Sequence, residues 1–167
     1  MDPHLLIRPA EARDVGAVVE VVATVLGEFG LTFGVGSGTD AELLDLPASY
    51  TDRGGAFWVV EDTTSGRILG TCGVGLIEEG TLELRKMYLT AETRGRGVGR
   101  ALLAQAIAFA RSAGATRLVL DTTSEMQAAI RLYEAAGFRR DDSQVRGSRC
   151  NRAFSLDLGG AVGDAQR

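Results

Sequence analysis

The stretch TRGRGVGRALL, residues 93 to 103, carries three glycines and three arginines within seven positions. A strand-like run ends near Thr90, just before it, and an apolar run with helical spacing begins near Val98. This order places the free N–H groups and partial positive charge of a helix N-terminus where an anion can reach them. Glycines let a ligand approach the backbone, and arginines add charge-assisted hydrogen bonds to phosphate oxygens. We therefore predict a pyrophosphate-binding turn, against the alternative of a flexible glycine-rich loop with solvated arginines.

The length and composition are typical of one globular domain. The chain has 167 residues, of which 45% are hydrophobic and 24% charged. We assign residues 1–158 to that domain and expect residues 159–167 to be a disordered tail. The net charge of −4 argues against a nucleic-acid partner, because binding a phosphate backbone needs a basic face. The longest apolar helical run, residues 15–26, is too short to span a bilayer, so we expect no membrane partner.

The two cysteines and the single histidine limit the available chemistry. Cys72 and Cys150 lie far apart in the sequence and lack the spacing of metal ligands. We therefore expect inert, reduced thiols, a cytoplasmic setting and no metal site. His4 is the only histidine, so a histidine-based catalytic triad is not expected.

The spacing of apolar residues predicts a series of strands and helices along the chain. The predicted strands are residues 4–10, 56–62, 67–77, 81–90 and 116–123. The predicted helices are residues 11–27, 98–114 and 124–138, with a short helix over residues 40–50 that stops near Pro47. Short turns join the second, third and fourth of these strands, which predicts an antiparallel meander. Residues 30–40 are expected to form a glycine-rich loop, and residues 138–158 a closing hairpin.

Two common nucleotide-binding patterns fit the glycine-rich turn poorly. The P-loop pattern needs a lysine inside it, and Lys86, the only lysine, lies upstream. The dinucleotide-binding pattern G-x-G-x-x-G is met at Gly95 and Gly97 but not at Arg100. Asp121, at the end of the next strand, imitates the ribose-binding acid of that pattern. A nucleotide-binding module therefore stays open as an alternative, although an antiparallel meander does not suit a doubly wound parallel sheet.

The pattern R-x-x-G-x-G, by contrast, fits residues 94–99. With the strand before it, LRKMYLTAETRGRGVGRALL (84–103) resembles the acetyl-CoA-binding motif of the GNAT superfamily of N-acetyltransferases. AAIRLYEAAGF (128–138) resembles a later helix and strand of the same superfamily, and the resemblance covers residues 56–140. It implies an α/β fold of the α+β type, with a mixed, mostly antiparallel central sheet flanked by helices. It also implies transfer of an acetyl group from acetyl-CoA, the co-substrate, to a primary amine by direct attack in a ternary complex.

The resemblance further implies which residues bind the cofactor. The turn from Arg94 to Arg100 would hold the pyrophosphate of coenzyme A, and the backbone of residues 87–89 would pair with the pantetheine amides, as an added strand does. The cofactor would lie between this strand and the strand at 116–123, where the two splay apart. The implied cofactor-binding residues are Met87, Tyr88, Leu89, Arg94, Gly95, Arg96, Gly97, Val98, Gly99 and Arg100. The chain departs from the family pattern at Ala91, where a proline is common, and at Met126, where an asparagine is common.

Tyr133 and Glu83 are the candidate catalytic residues. Tyr133 matches the tyrosine that protonates the leaving thiolate in many members of the superfamily, and a neutral phenol can donate a proton at neutral pH. Its place on an apolar helical face with Ile130 also suits a core tyrosine. Glu83 occupies the strand position where some protein-acetylating relatives carry a base. The alternatives are a strand-surface carboxylate paired with Arg85 or another arginine, or deprotonation of the amine through ordered water.

The acceptor and the oligomeric state have weaker signals in the sequence. We expect a small amine or an amino acid as the acceptor, then a protein N-terminus or lysine side chain, with a non-catalytic coenzyme A sensor as a further alternative. Arg85 and Lys86 could attract an acidic acceptor. The first helix is apolar outside its main stripe, at Ala17, Val21 and Ala23, which is compatible with a homodimer contact.

Overall fold

The computed structural model describes residues 1–159, so the predicted disordered tail lies outside the described residues apart from Gly159. The strands are β1 (Leu5–Pro9), β2 (Ala56–Asp62), β3 (Ile68–Glu78), β4 (Thr81–Leu89), β5 (Arg117–Thr122), β6 (Arg139–Arg140) and β7 (Arg152–Asp157). The α-helices are α1 (Val15–Glu28), α2 (Ala48–Thr51), α3 (Val98–Ser112) and α4 (Gln127–Ala135). Short 3-10 turns occupy parts of the connections, and one of them, Asp40–Asp45, stands with α2 where the sequence predicts a single short helix over residues 40–50.

The seven strands form one sheet in the order β1-β2-β3-β4-β5-β7-β6. Every neighbouring pair is antiparallel except β4 and β5, which run parallel. The predicted fold class, a mixed and mostly antiparallel sheet flanked by helices, is therefore confirmed, and so is the meander of β2, β3 and β4. The closing hairpin is present as β6 and β7, which pair across a long connection.

Helix α4 is shorter than the sequence predicts. It begins at Gln127 rather than at residue 124, because the preceding residues form a separate turn closed by a 3.0 Å hydrogen bond from Met126 N to Thr123 O. It ends at Ala135, and Gly137 follows with a φ of +98°. That left-handed conformation lets the chain leave a helix and is favourable for glycine.

The sheet buries a hydrophobic core on each face. Helix α3 covers one face, where Leu102 and Leu118 are fully buried, and α1 covers the other, where Val22 and Val59 are fully buried. Val21 of α1 is also buried within the chain, so it is not available for the contact that the sequence suggests. A homodimer contact through the other two residues of that set, Ala17 and Ala23, stays a prediction.

Strands β4 and β5 pair only where they begin. The parallel pairing joins residues 81–83 to residues 117–119. Beyond it, β4 continues to Leu89 while β5 pairs with β7 on its other side, so the two strands diverge. The divergence leaves backbone N–H and C=O groups of β4 without a strand partner on the side facing β5. The predicted splay between these strands is therefore confirmed.

A β-bulge at Lys86 changes the face to which β4 directs its side chains. β4 advances three residues, from Arg85 to Tyr88, while β3 advances two, from Thr71 to Gly73. Lys86 itself has a φ of +53°, which is uncommon for a residue with a side chain. The extra residue puts Lys86 on the same face of the sheet as Arg85. Both side chains therefore contact the segment between α1 and α2.

Candidate active site

The glycine-rich turn lies where the sequence predicts, between the end of β4 and the start of α3. Helix α3 begins at Val98, and Gly97 before it has a φ of +79°. Gly95 has a φ of +75°, and a Cβ atom added there would meet nothing within 4 Å. Left-handed dihedrals favour glycine at both positions. A Cβ atom added at Gly97 would meet only Met1, at 3.9 Å, so both glycines border space that an anion could occupy near the first turn of α3.

Two arginines of the turn already contact carboxylates. Arg94 donates from Nε and Nη2 to the carbonyl oxygen of Leu89, at 3.1 and 2.8 Å, and pairs with Glu28 of α1 at 2.7 Å. Arg96 pairs with Asp2. Arg94 thus ties the end of β4 to α1, and a bound pyrophosphate would compete with both carboxylates for these guanidinium groups.

A cleft of about 350 Å³ runs from this turn along β4 to α4. Eight of the ten predicted cofactor-binding residues line it, namely Met87, Tyr88, Leu89, Arg94, Gly95, Gly97, Gly99 and Arg100. Val98 and Arg96 do not. Val98 is 1% exposed and its side chain belongs to the core, so only its backbone N–H could contact a ligand. Arg96 is turned toward Asp2.

Tyr133 lies where this cleft meets a second cavity, of about 300 Å³, and it lines both. Its ring packs against Phe138 and Phe154, at centroid distances of 5.9 and 6.4 Å, and 5% of the residue is exposed. Burial raises the pKa of its hydroxyl above the ordinary phenol value, so the hydroxyl stays protonated at neutral pH. Its predicted role as the proton donor stays a prediction.

Tyr88 also lines both cavities, although the sequence analysis gives it only a backbone role. Burial raises the pKa of Tyr88 to about 12, against the lowering effect of the nearby Arg149 charge. Its hydroxyl is thus a second protonated phenol at the junction. No motif in the sequence distinguishes this side chain from an ordinary strand tyrosine.

Glu83 is buried in the wall of the second cavity. Its carboxylate accepts hydrogen bonds from Nε of Arg85 at 2.5 Å and from Nη1 of Arg146 at 3.4 Å. The ion pair with Arg85, one of the alternatives raised by the sequence, is therefore formed. The pairing does not remove Glu83 from the cavity, and its role as a base stays a prediction.

The second cavity also contains a buried charge cluster that the sequence analysis does not identify. Asp40 is 1% exposed, and its two carboxylate oxygens accept from the guanidinium of Arg149 at 2.8 and 3.0 Å. Lys86 pairs with the same carboxylate and donates to the hydroxyl of Ser37 at 3.2 Å. Lys86 and Arg149 lie 46 and 109 residues after Asp40, so no local spacing rule connects the three.

The electrostatics of this cluster are dominated by the two cations. Burial raises the pKa of Asp40, but the hydrogen bonds from Arg149 and Lys86 outweigh burial and hold the pKa at about 2. Burial lowers the pKa of Lys86, while Asp40 acts in the opposite direction. The carboxylate is therefore ionised at any pH at which the protein would be assayed.

The cysteines are poorly suited to nucleophilic chemistry. Burial raises the pKa of the Cys72 thiol, and burial together with the Asp121 charge raises the pKa of Cys150 to about 12. A raised thiol pKa leaves little thiolate at neutral pH, which agrees with the expected inert role.

Within residues 1–159, no three side chains of the types His, Cys, Asp and Glu are arranged to hold a metal ion. None of the helices described here is long and apolar enough to cross a membrane.

Comparison with known proteins gives consistent matches. Residues 27–138 match the model of the acetyltransferase (GNAT) family. The chain is 35% identical over 141 residues to the uncharacterized N-acetyltransferase YjgM of Escherichia coli K12, a match that covers 82% of this chain and 83% of that protein. It is 36% identical over 104 residues to the probable N-acetyltransferase family 8 member 5 of Mus musculus, covering 59% of this chain and 45% of the mouse protein. The chain thus spans less than half of that mouse relative.

One of the similar solved structures contains acetyl-CoA. The acetyltransferase-like protein yncA of Salmonella typhimurium, solved with its cofactor acetyl-CoA, superposes with a TM-score of 0.72 at 26% identity. The superposition covers 97% of this chain and 99% of that one. A similar protein of the same overall fold therefore binds acetyl-CoA.

Proposed function

This chain belongs to the acetyltransferase (GNAT) family, and from that premise we propose that it moves the acetyl group of acetyl-CoA to the primary amine of a small molecule or amino acid. The observation that carries the proposal is the position of Tyr133, which lines both the cleft beside the glycine turn and the second cavity. A thioester in the cleft and an amine in the second cavity would meet beside its hydroxyl.

The cleft has the features that acetyl-CoA requires. The turn offers left-handed glycines, free N–H groups and arginines to the pyrophosphate. The edge of β4 beyond Glu83 offers backbone groups to the amides of the pantetheine arm, as it would to an added strand. The acetyl-CoA bound to the Salmonella protein supports the same co-substrate here.

The second cavity suits a small acceptor better than a protein. Its volume of about 300 Å³ lies at the lower end of the range for small-molecule sites. Its walls come from β4, β5, one residue each of α1 and α4, and the segments that connect α1 to α2, β5 to α4 and β6 to β7. Charged and hydroxyl side chains line it, and such groups select for a polar ligand.

The proposed reaction needs two proton transfers. In a ternary complex, the amine nitrogen attacks the thioester carbonyl carbon, so a C–N bond forms and the C–S bond breaks to leave a thiolate. Tyr133 donates its proton to that thiolate, which becomes the free thiol of coenzyme A. The proton lost by the amine passes to Glu83 or to water in the second cavity, and exchange with solvent then returns a proton to Tyr133 and removes the one held by Glu83.

Free-thiol release from acetyl-CoA, measured across amino acids, polyamines, aminoglycosides and peptides, tests the proposal. We expect release with one class of small amine or with amino acids, and none above background with peptides. Release with peptides alone would instead assign a protein N-terminus or lysine side chain as the acceptor. Tight acetyl-CoA binding without release from any acceptor would favour a non-catalytic coenzyme A sensor.

A further inference from the structure

The ion-paired charges around the second cavity fall into two groups, and only one of these groups is balanced. In the balanced group, carboxylates and guanidinium groups alternate in a chain that runs Glu42, Arg85, Glu83, Arg146, with contacts of 3.3, 2.5 and 3.4 Å. Two acids face two bases, so the chain has no net charge. It leaves no charge over for binding a ligand carboxylate.

The other group carries an excess positive charge. Asp40 is the one carboxylate paired with both Lys86 and Arg149, so the three side chains sum to +1. The side chains of Lys86 and Arg149 are 3% and 8% exposed, so bulk water does little to compensate the extra charge. A buried charge without a partner is unfavourable, and an anion bound beside it would relieve that cost.

Unused hydrogen-bond donors accompany this excess charge. An ammonium has three donors, and Lys86 uses two of them, on Asp40 and Ser37. A guanidinium has five donors, and Arg149 uses three of them, on the carbonyl of Val35 and the two oxygens of Asp40. Lys86, Ser37 and Arg149 all line the second cavity, so their remaining donors are next to the space a ligand would occupy.

An acidic group without a cation partner faces the same cavity. Asp121, at the end of β5, accepts hydrogen bonds on Oδ2 from the backbone N–H groups of Arg146 and Gly147, both at 2.8 Å. Among residues 1–159 it has no ion pair with a lysine or arginine. The cavity therefore presents a surplus cation at one place and an unpaired carboxylate at another, which complements a molecule that bears both an ammonium and a carboxylate.

We propose that the acceptor is a free amino acid whose carboxylate binds at Lys86, Arg149 and Ser37. This inference rests on the proposed function and names its acceptor class. The amino group of such an acceptor would then face Asp121 and Glu83, the two carboxylates that line the same cavity. Amines that lack a carboxylate would leave the excess charge without a partner and should bind more weakly.

The test compares amino acids with their own α-amides, which keep the amine and side chain but lack the carboxylate charge. With L-alanine, L-aspartate and L-phenylalanine as probes, we expect kcat/KM for at least one acid to exceed that of its amide tenfold or more. Lys86→Met should bring this ratio close to one, chiefly through a higher KM for the acid. The variant leaves Asp40 paired with Arg149, so the remaining cluster is balanced. Arg111→Met, at the exposed end of α3, is the matched control and should keep the ratio of the wild type.

Arg149→Met provides a second variant if Lys86→Met does not fold, because it leaves Asp40 paired with Lys86. Equal kcat/KM for every acid and its amide in the wild type would overturn the carboxylate site while leaving acetyl transfer in place. A wild-type ratio retained in both folded variants would overturn it as well.

A binding measurement separates the failure of this inference from the failure of the proposed function. In the presence of coenzyme A, the melting temperature should rise with the free amino acid and not with its amide. If that shift occurs without any thiol release, the proposed function fails and the carboxylate site stands. If neither the shift nor turnover depends on the carboxylate, the site assigned here is wrong.

Discussion

The hydroxyl of Tyr133 is the group that the proposed chemistry needs most. Tyr133→Phe removes the proton donor and keeps the ring with its contacts to Phe138 and Phe154. We expect kcat to fall at least tenfold, or about 1.4 kcal/mol in activation free energy, with the affinity for acetyl-CoA unchanged. Because burial raises the pKa of this hydroxyl, the loss should be similar at neutral and mildly alkaline pH. Steady-state thiol release and calorimetric titration with acetyl-CoA measure the two quantities.

Two other tyrosines provide controls for that substitution. Tyr50→Phe removes a buried hydroxyl that has no hydrogen-bond partner among the described residues and lines neither cavity, so kcat should hold. Tyr88→Phe removes the second phenol at the junction. A large loss of kcat in Tyr88→Phe, with none in Tyr133→Phe, would assign the proton donation to Tyr88 instead.

The residues of the site differ in how far the sequence can identify them. Tyr133 and the glycines belong to local patterns, so spacing and resemblance place them without knowledge of the fold. Asp40 and Arg149 can be recognised only from their contact in the fold, because they lie 109 residues apart and each alone looks like an ordinary charged loop residue. Glu83 is an intermediate case. The sequence predicts its position on the strand and its pairing with Arg85, but it does not identify Arg146 as the second partner.

At the scale of elements, the proposal places the cofactor phosphates at the junction of β4 with α3. Gly97→Asp would place a carboxylate just before the first turn of α3, where the proposal places the pyrophosphate. We expect the affinity for acetyl-CoA to fall at least tenfold, because the two negative charges repel each other. Gly97→Asn, which has similar size and no charge, should retain more of the affinity. Calorimetric titration with acetyl-CoA distinguishes the two variants.

The other end of the same helix offers a matched control. Gly114 follows α3 with the same φ of +79° and open space around it. Gly114→Asp therefore imposes a similar backbone strain, about 1 kcal/mol, far from the turn. Its affinity for acetyl-CoA should equal that of the wild type. If Gly97→Asp also kept the wild-type affinity, the pyrophosphate would have to bind elsewhere.

Strand β4 shows where sequence periodicity stops being informative. The alternation of residue types predicts the strand and its bounds within one residue. It does not predict the bulge, which shifts the alternation of side chains by one residue. Leu82 and Leu84 before the bulge, and Met87 and Leu89 after it, therefore pack against the same core. A lysine carries no local preference for positive φ, and the conformation of Lys86 is stabilised by partners from distant segments.

At the scale of the whole molecule, Asp40 joins three parts of the chain around the second cavity. It accepts from the backbone N–H of Gly34 at 2.7 Å in its own segment, from Lys86 on β4, and from Arg149 in the connection between β6 and β7. The backbone N–H of Arg149 also donates to the carbonyl of Gly36 at 3.3 Å. The sequence predicts the sheet that these segments pack against. It does not predict the contacts between the segments, because those contacts form only once the strands are in their final order.

Asp40→Asn should therefore destabilise the protein as a whole. It leaves Lys86 and Arg149 as two buried cations without a counter-ion, which we expect to lower the free energy of unfolding by about 3–5 kcal/mol. Asp45→Asn, at an exposed position of the same segment, is the matched control and should change it by less than about 0.5 kcal/mol. Urea unfolding at neutral pH measures both variants. Equal stability of the two variants would show that Asp40 does not hold the segments together.

The pH dependence of that difference identifies the charge as its cause. The pKa of Asp40 is about 2 in the folded protein, below the value of about 3.9 expected for an unfolded chain. A lowered folded pKa contributes stability that is present in full above the unfolded value and is lost as the pH falls through the folded value. The advantage of the wild type over Asp40→Asn should thus be constant above about pH 5 and shrink by about 2 kcal/mol as the pH approaches about 2. An advantage that stays constant over this interval would mean that the altered hydrogen bonding of the amide, rather than the lost charge, destabilises Asp40→Asn.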